Sequence, residues 1–149
     1  FSKDRKFISK DGKMFKPSSL VKKEDLIFVR VGVGCIGRTA VVTSEEDVGA
    51  IDDWSYIIRT KNFLSPYFLA FYFQSKYGKI QLERSKRGVG TTTIPQSSLK
   101  EIAIPLFENQ EIFKERYLKM RDFYKKGLIA EAEKILNETI QDIENAIKG

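Results

Sequence analysis

The sequence predicts a mixed α/β fold: a largely antiparallel sheet with packed helices, followed by a long C-terminal helix or helical hairpin. Three observations carry this expectation. Runs rich in β-branched and aromatic residues at 26–31, 39–43 and 54–59 are separated by stretches too short for a crossover helix. Residues 67–75 are apolar nearly all round, as a buried helix is. From residue 108 onward, apolar residues recur at intervals of three and four. The chain accordingly divides into an α/β domain over 1–107 and a helical spacer or docking segment over 108–149.

Taken in order, the lysine-rich start (Lys3, Arg5, Lys6, Lys10, Lys13, Lys16) carries a turn at Asp11-Gly12. Residues 17–25 lead into the first strand, at 26–31. The second covers 39–43, and the acidic loop Glu45-Glu46-Asp47 follows it. A short extension at 48–51 precedes the third strand, at 54–59. Ser65-Pro66 spells a helix start, with serine as N-cap and proline in the first helical position. Gly78 is expected to end that helix, and a second short helix to cover 79–85. Residues 96–99 read as one helical turn, and 101–106 as another strand. Phe113, Tyr117, Met120, Tyr124, Leu128, Ala132, Leu136, Ile140, Ile143 and Ile147 then form the stripe of a long helix or a helix pair. Gly127 interrupts it, at about 1 kcal/mol relative to alanine if the helix runs through. A stripe this long wants a partner, either another helix of this chain or another protein.

Residues 32–37 spell G-x-G-x-x-G, the pattern of a dinucleotide-binding loop. Such a loop needs a strand before it and a helix N-terminus after it, so that backbone N–H groups and the helix dipole meet a pyrophosphate. The strand is present, but residues 39–43 hold four β-branched residues in five and favour a pleated surface. Asp52 and Asp53 fall where a ribose-binding acid would sit, but without the helix this spacing is weak. A kinase loop would be followed by V-A-I-K, H-R-D and D-F-G, which do not occur. The glycines are therefore read as a turn between two strands.

Composition narrows the chemistry. There is no histidine and one cysteine, which removes Ser-His-Asp and Cys-His catalysis, histidine-bearing metal sites and any internal disulfide framework. Cys35 is read as a packed thiol, and the cysteine usage fits a cytoplasmic protein. The longest apolar stretch is too short to span a bilayer. Methyltransferase motifs (N-P-P-F, D-P-P-Y) and a nuclease D…E-x-K are absent, and the acids cluster in loops where solvation accounts for them. No catalysis, cofactor or metal is expected of this chain.

The net charge of +6 is unevenly placed: 18 Lys/Arg against 11 Asp/Glu over 1–107, and 8 against 9 over 108–149. A basic globular part suggests a polyanion surface. Its candidates are Arg30 and Arg38, which bracket the first glycine loop (Gly32, Gly34, Gly37), and Lys86, Arg87, Thr91, Thr92 and Thr93, around Gly88 and Gly90; Lys61 joins them. Arginine, lysine and hydroxyl side chains grip phosphates and read base edges, and glycines let backbone N–H groups approach closely.

The succession LIFVRVGVGCIGRTAVV, WSYIIR, SPYFLAFYFQS and RGVGTTTIPQSSLKEIAIPL, with Gln110 at a helix start, resembles the target recognition domain of type I restriction–modification specificity subunits. The same domain occurs fused to the C-terminus of N6-adenine DNA methyltransferases. The resemblance covers residues 20–113 and rests on the order and spacing of these segments together. It implies a domain that reads double-stranded DNA, with both glycine loops approaching the duplex. It also implies a long helix that docks an adenine methyltransferase subunit or domain; the spacing of the stripe offers Leu128, Leu136, Ile140 and Ile143 to such a partner or to a second copy of the chain. Two departures stand out. The helix entry reads Pro-Leu-Phe-Glu-Asn-Gln instead of the more usual proline-rich form, and one domain-plus-helix unit is present where full specificity subunits carry two. The chain is thus expected to be a half-subunit or a fragment of a fused methyltransferase.

Overall fold

The computed structural model describes residues 11–13 and 16–149; most of the lysine-rich start lies outside the described residues. Asp11-Gly12 sits in a turn, as its sequence predicts. Three strands, β1 (Leu26–Val29), β2 (Thr39–Val41) and β3 (Ser55–Ile58), form an antiparallel sheet in the order β2-β1-β3. β1 pairs with β2 across the glycine loop, Leu26 opposite Val41 and Phe28 opposite Thr39. On its other side Leu26 faces Ile58 and Val29 faces Ser55. Arg38 leads straight into a strand, so the helix a dinucleotide loop requires is not formed. The 48–51 extension amounts to one bridge, Leu20 with Ala50.

Leu26 and Phe28 point into the core, which α1 (Pro66–Tyr72) covers. Ser65 caps this helix by accepting the Phe68 N–H at 3.3 Å, and Pro66 starts it. Every residue of α1 is buried. Each of its large side chains contributes about 1.5–3 kcal/mol by leaving water.

Gly78 does not end this helix. The chain turns after Tyr72, and α2 (Lys76–Ser85) begins under a new cap, with Ser75 Oγ accepting the Gly78 N–H at 3.2 Å. A Cβ at Gly78 would lie 2.1 Å from the Tyr72 carbonyl oxygen, so the glycine lets α2 start against the end of α1. α3 (Gln96–Lys100) matches its expected turn.

The strand expected at 101–106 is not formed. The segment has no strand neighbour, and its backbone is held by side chains instead. Gln81 Oε1 accepts the Ala103 N–H at 2.9 Å, and Gln81 Nε2 and the Tyr72 hydroxyl both donate to the Ala103 carbonyl, at 2.9 and 2.8 Å.

The C-terminal stripe is a helical hairpin of α4 (Glu111–Lys125) and α5 (Ile129–Lys148). Gly127, at φ +75°, makes the turn: its N–H donates to Tyr124 O, and the Leu128 N–H donates to Phe123 O. This Schellman arrangement satisfies the last carbonyls of α4. Phe113 and Tyr117 on α4 meet Phe68, Phe71 and Tyr67 of α1 ring to ring, at centroid distances of 5.0–6.4 Å. The Tyr117 hydroxyl also accepts the Val41 N–H at 2.9 Å, tying α4 to β2. Nearby, Arg121 pairs with Asp47 at 2.6 Å and donates to Thr43. Gln110 fastens the start of α4 to that of α1, accepting from Ser65 N and donating to Phe63 O and Phe107 O.

The stripe is thus largely spent inside the chain, which corrects part of the docking set. Ile143 is fully buried and is not offered to a partner; Leu136, packed in part against the core, and Ile140 are half-buried, and Leu128 is exposed. No helix among the described residues is long and apolar enough to cross a membrane.

Candidate nucleic-acid interface

The two glycine loops, far apart in sequence, meet at the Trp54–Ser55 end of the sheet. In the first loop, the Gly37 N–H donates to Val29 O and the Arg38 N–H to Cys35 O. Gly32 is at φ +121°, and a Cβ there would lie 2.5 Å from Cys35 Sγ, with the Trp54 ring at 3.7 Å. This is a shaped turn, and Cys35 packs inside it with its thiol toward Val31 O at 3.6 Å. In the second loop, Arg87 and Thr93 exchange backbone hydrogen bonds of 2.8 and 2.9 Å and close the turn between them. Gly88 is at φ +106°, where a Cβ would meet Thr91 O at 2.5 Å.

Thr93 and Arg30 stitch the loops together. Val31 bridges Thr93, the Ile94 N–H donates to Arg30 O at 2.9 Å, and Thr93 Oγ1 donates to the same carbonyl at 3.1 Å. Arg30 Nε donates to Asp53 O at 2.7 Å, while its guanidinium lies 5.4 Å from the Tyr56 ring centre. The Tyr56 hydroxyl in turn donates to Ile94 O at 2.9 Å. Arg30 and Thr93, two of the sequence-predicted contacts, therefore hold the loops in place.

The remaining candidates separate clearly. Arg38 is exposed, and its guanidinium makes no hydrogen bond or ion pair with the described residues. Thr91 is exposed and Thr92 half-exposed at the tip of the second loop. Lys86 pairs with Glu83 at 2.5 Å, so part of its charge is matched locally. Arg87 caps the C-terminus of α2 by donating to the Arg84 and Lys86 carbonyls, both at 2.8 Å. Lys61 is not brought to this cluster. β3 runs from Ser55 beside Val29 to Ile58 beside Leu26, so Lys61, beyond Ile58, lies toward the opposite end of the sheet. There it lines a groove of about 1080 Å³ along β3.

Trp54, Val33 and Val89, not singled out from the sequence, are exposed at these loops. Val33 and Val89 are each the middle of a G-V-G triplet, a repetition that could have drawn attention to them.

The edge thus presents guanidinium groups, threonine hydroxyls and backbone at glycines, a set that can grip phosphates and meet base edges. Among the described residues there is no His/Cys/Asp/Glu group able to hold a metal ion. No protein-family model matches the chain, and no curated protein matches it.

Proposed function

We propose that this chain is a non-catalytic module that recognises a sequence in double-stranded DNA. In this reading it directs an associated or fused adenine methyltransferase, and with it an endonuclease, to a restriction–modification site. The observation that supports it most is the joining of two glycine loops by Arg30 and Thr93 into one edge bearing Arg38, Arg87, Thr91 and Thr92. The segment order shared with target recognition domains, and the basic excess over residues 1–107, point the same way.

The test is enrichment of bound duplexes from a random pool, followed by titration of the enriched site and a scrambled duplex at several salt concentrations. The expected result is an enriched consensus and a log–log fall of affinity with salt, steep enough to count several phosphate contacts. A chain that binds neither duplex refutes the reading. A second reading, docking of a protein through the hairpin, is favoured by Ile112, Leu118, Tyr124, Leu128 and Ile129, all exposed on or beside it. Such binding would respond little to salt.

A further inference from the structure

The two loops share a feature that phosphate gripping leaves unused. Each carries a valine at its tip between two glycines at positive φ: Val33 between Gly32 and Gly34, and Val89 between Gly88 and Gly90. The valines are the two most exposed large apolar side chains among the described residues, at 101% and 105% of the reference exposure. Neither has any role in the core. The fold gains nothing from an apolar group at either position, and water disfavours it there.

We propose that Val33 and Val89 are paired apolar fingertips that touch thymine C5-methyl groups in the major groove of duplex DNA. The proposal rests on the DNA-recognition reading and assigns part of its specificity. Thymine offers the one methyl group among the base edges of that groove, and small apolar side chains are its natural contacts. The polar surroundings match the rest of the groove, since Arg38, Arg87 and the Thr91 and Thr92 hydroxyls belong to the same two loops. The stitch at Thr93 and Arg30 fixes the base of both loops. A β-branched side chain is stiff about χ1, so each tip loses little freedom on contact. The exposed Trp54 beside the first loop would also suit a lipid surface, so vesicles form one arm of the test.

The experiment uses the whole chain and the duplex enriched from the random pool. That duplex is prepared with thymidine and, position by position, with deoxyuridine, which lacks only the methyl. The parent is compared with Val33→Ser and Val89→Ser, which carry no methyl group. Thermal unfolding of every variant should match the parent. One lost methyl contact should weaken the parent about fourfold. A serine variant should lose as much on the thymidine duplex and become indifferent to deoxyuridine at one position.

A consensus without thymine, or a parent indifferent to every deoxyuridine, overturns the proposal while leaving DNA recognition standing. So do variants that bind like the parent. Variants that lose binding only to phosphatidylserine vesicles overturn it in favour of a lipid surface. A parent that binds no duplex removes the DNA-recognition reading itself.

Discussion

Gly78→Ala is the substitution on which helix propensity and the folded geometry disagree in sign. Gly78 lies in the first turn of α2, where alanine would favour the helix by about 1 kcal/mol on propensity alone. The added Cβ would stand 2.1 Å from the Tyr72 carbonyl oxygen and 2.9 Å from Phe73 Cα. Ordinary contact begins near 3.4 Å, so the ends of α1 and α2 would have to part by roughly 1.3 Å. Both offending atoms are backbone, and no rotamer change relieves them. Overpacking of this kind costs about 1–3 kcal/mol. Parting the helices also strains the Ser75 cap, which accepts the Gly78 N–H and donates to Tyr72 O, and a lost cap costs about 1 kcal/mol. The net expectation is a destabilisation of about 2 kcal/mol, or a fall in Tm of about 4–8 °C. Urea unfolding followed by circular dichroism measures it. A variant as stable as the parent, or more so, would refute the argument that close approach governs this position.

Three further outcomes are expected. Asp47 is buried, which works against its charge, but hydrogen bonds from Arg121, Ser44 and Thr43 and the Arg121 charge more than offset this and hold its pKa below the ordinary value. Its contribution is therefore complete above the unfolded carboxylate pKa of 3.8 and is lost as pH falls through the lower folded value. Asp47→Asn should cost about 3 kcal/mol at neutral pH by removing the Arg121–Asp47 ion pair, and should flatten the acid limb of a stability–pH profile. Arg38→Ala should leave the Tm unchanged and lower the salt slope of DNA binding by about one, or cost roughly 1–3 kcal/mol on the enriched site alone if it reads a base. Arg30→Ala keeps the backbone stitch but removes the side-chain bonds to Asp53 O and Thr93 Oγ1 and the contact with Tyr56, and should lower Tm and DNA affinity together; a fall in affinity with an unmoved Tm contradicts its assignment as a support.

What the sequence revealed was what neighbouring residues decide. The β1–β2 pair was legible because β-branched runs flank glycines, and the start of α1 because Ser65-Pro66 is a local signal. Residues 101–106 misled because their composition suits a strand, while strand formation depends on a partner. Here the partner is the amide of Gln81, 22 residues before Ala103 and on a helix. Gly78 misled for a related reason: glycine marks both helix ends and close approaches, and only the position of Tyr72 tells them apart. At the candidate site, the loops themselves could be read, but the division of labour could not. Arg30 and Arg38 look alike in sequence, yet one is committed to Asp53, Tyr56 and Thr93 while the other faces water.

The bond between the Tyr117 hydroxyl and the Val41 N–H has a mechanical consequence. It joins the middle of α4 to an edge strand that leads, through Thr39, back to Arg38. With the Arg121–Asp47 pair beside it and the aromatic rings of α1 beneath, it leaves the hairpin no hinge about which to swing. A torque applied to the outer face of α4 or α5 would be delivered to the loops with little slack, like force along a lever with a welded fulcrum. Anything that grips the hairpin therefore sets the angle at which the two glycine loops are presented.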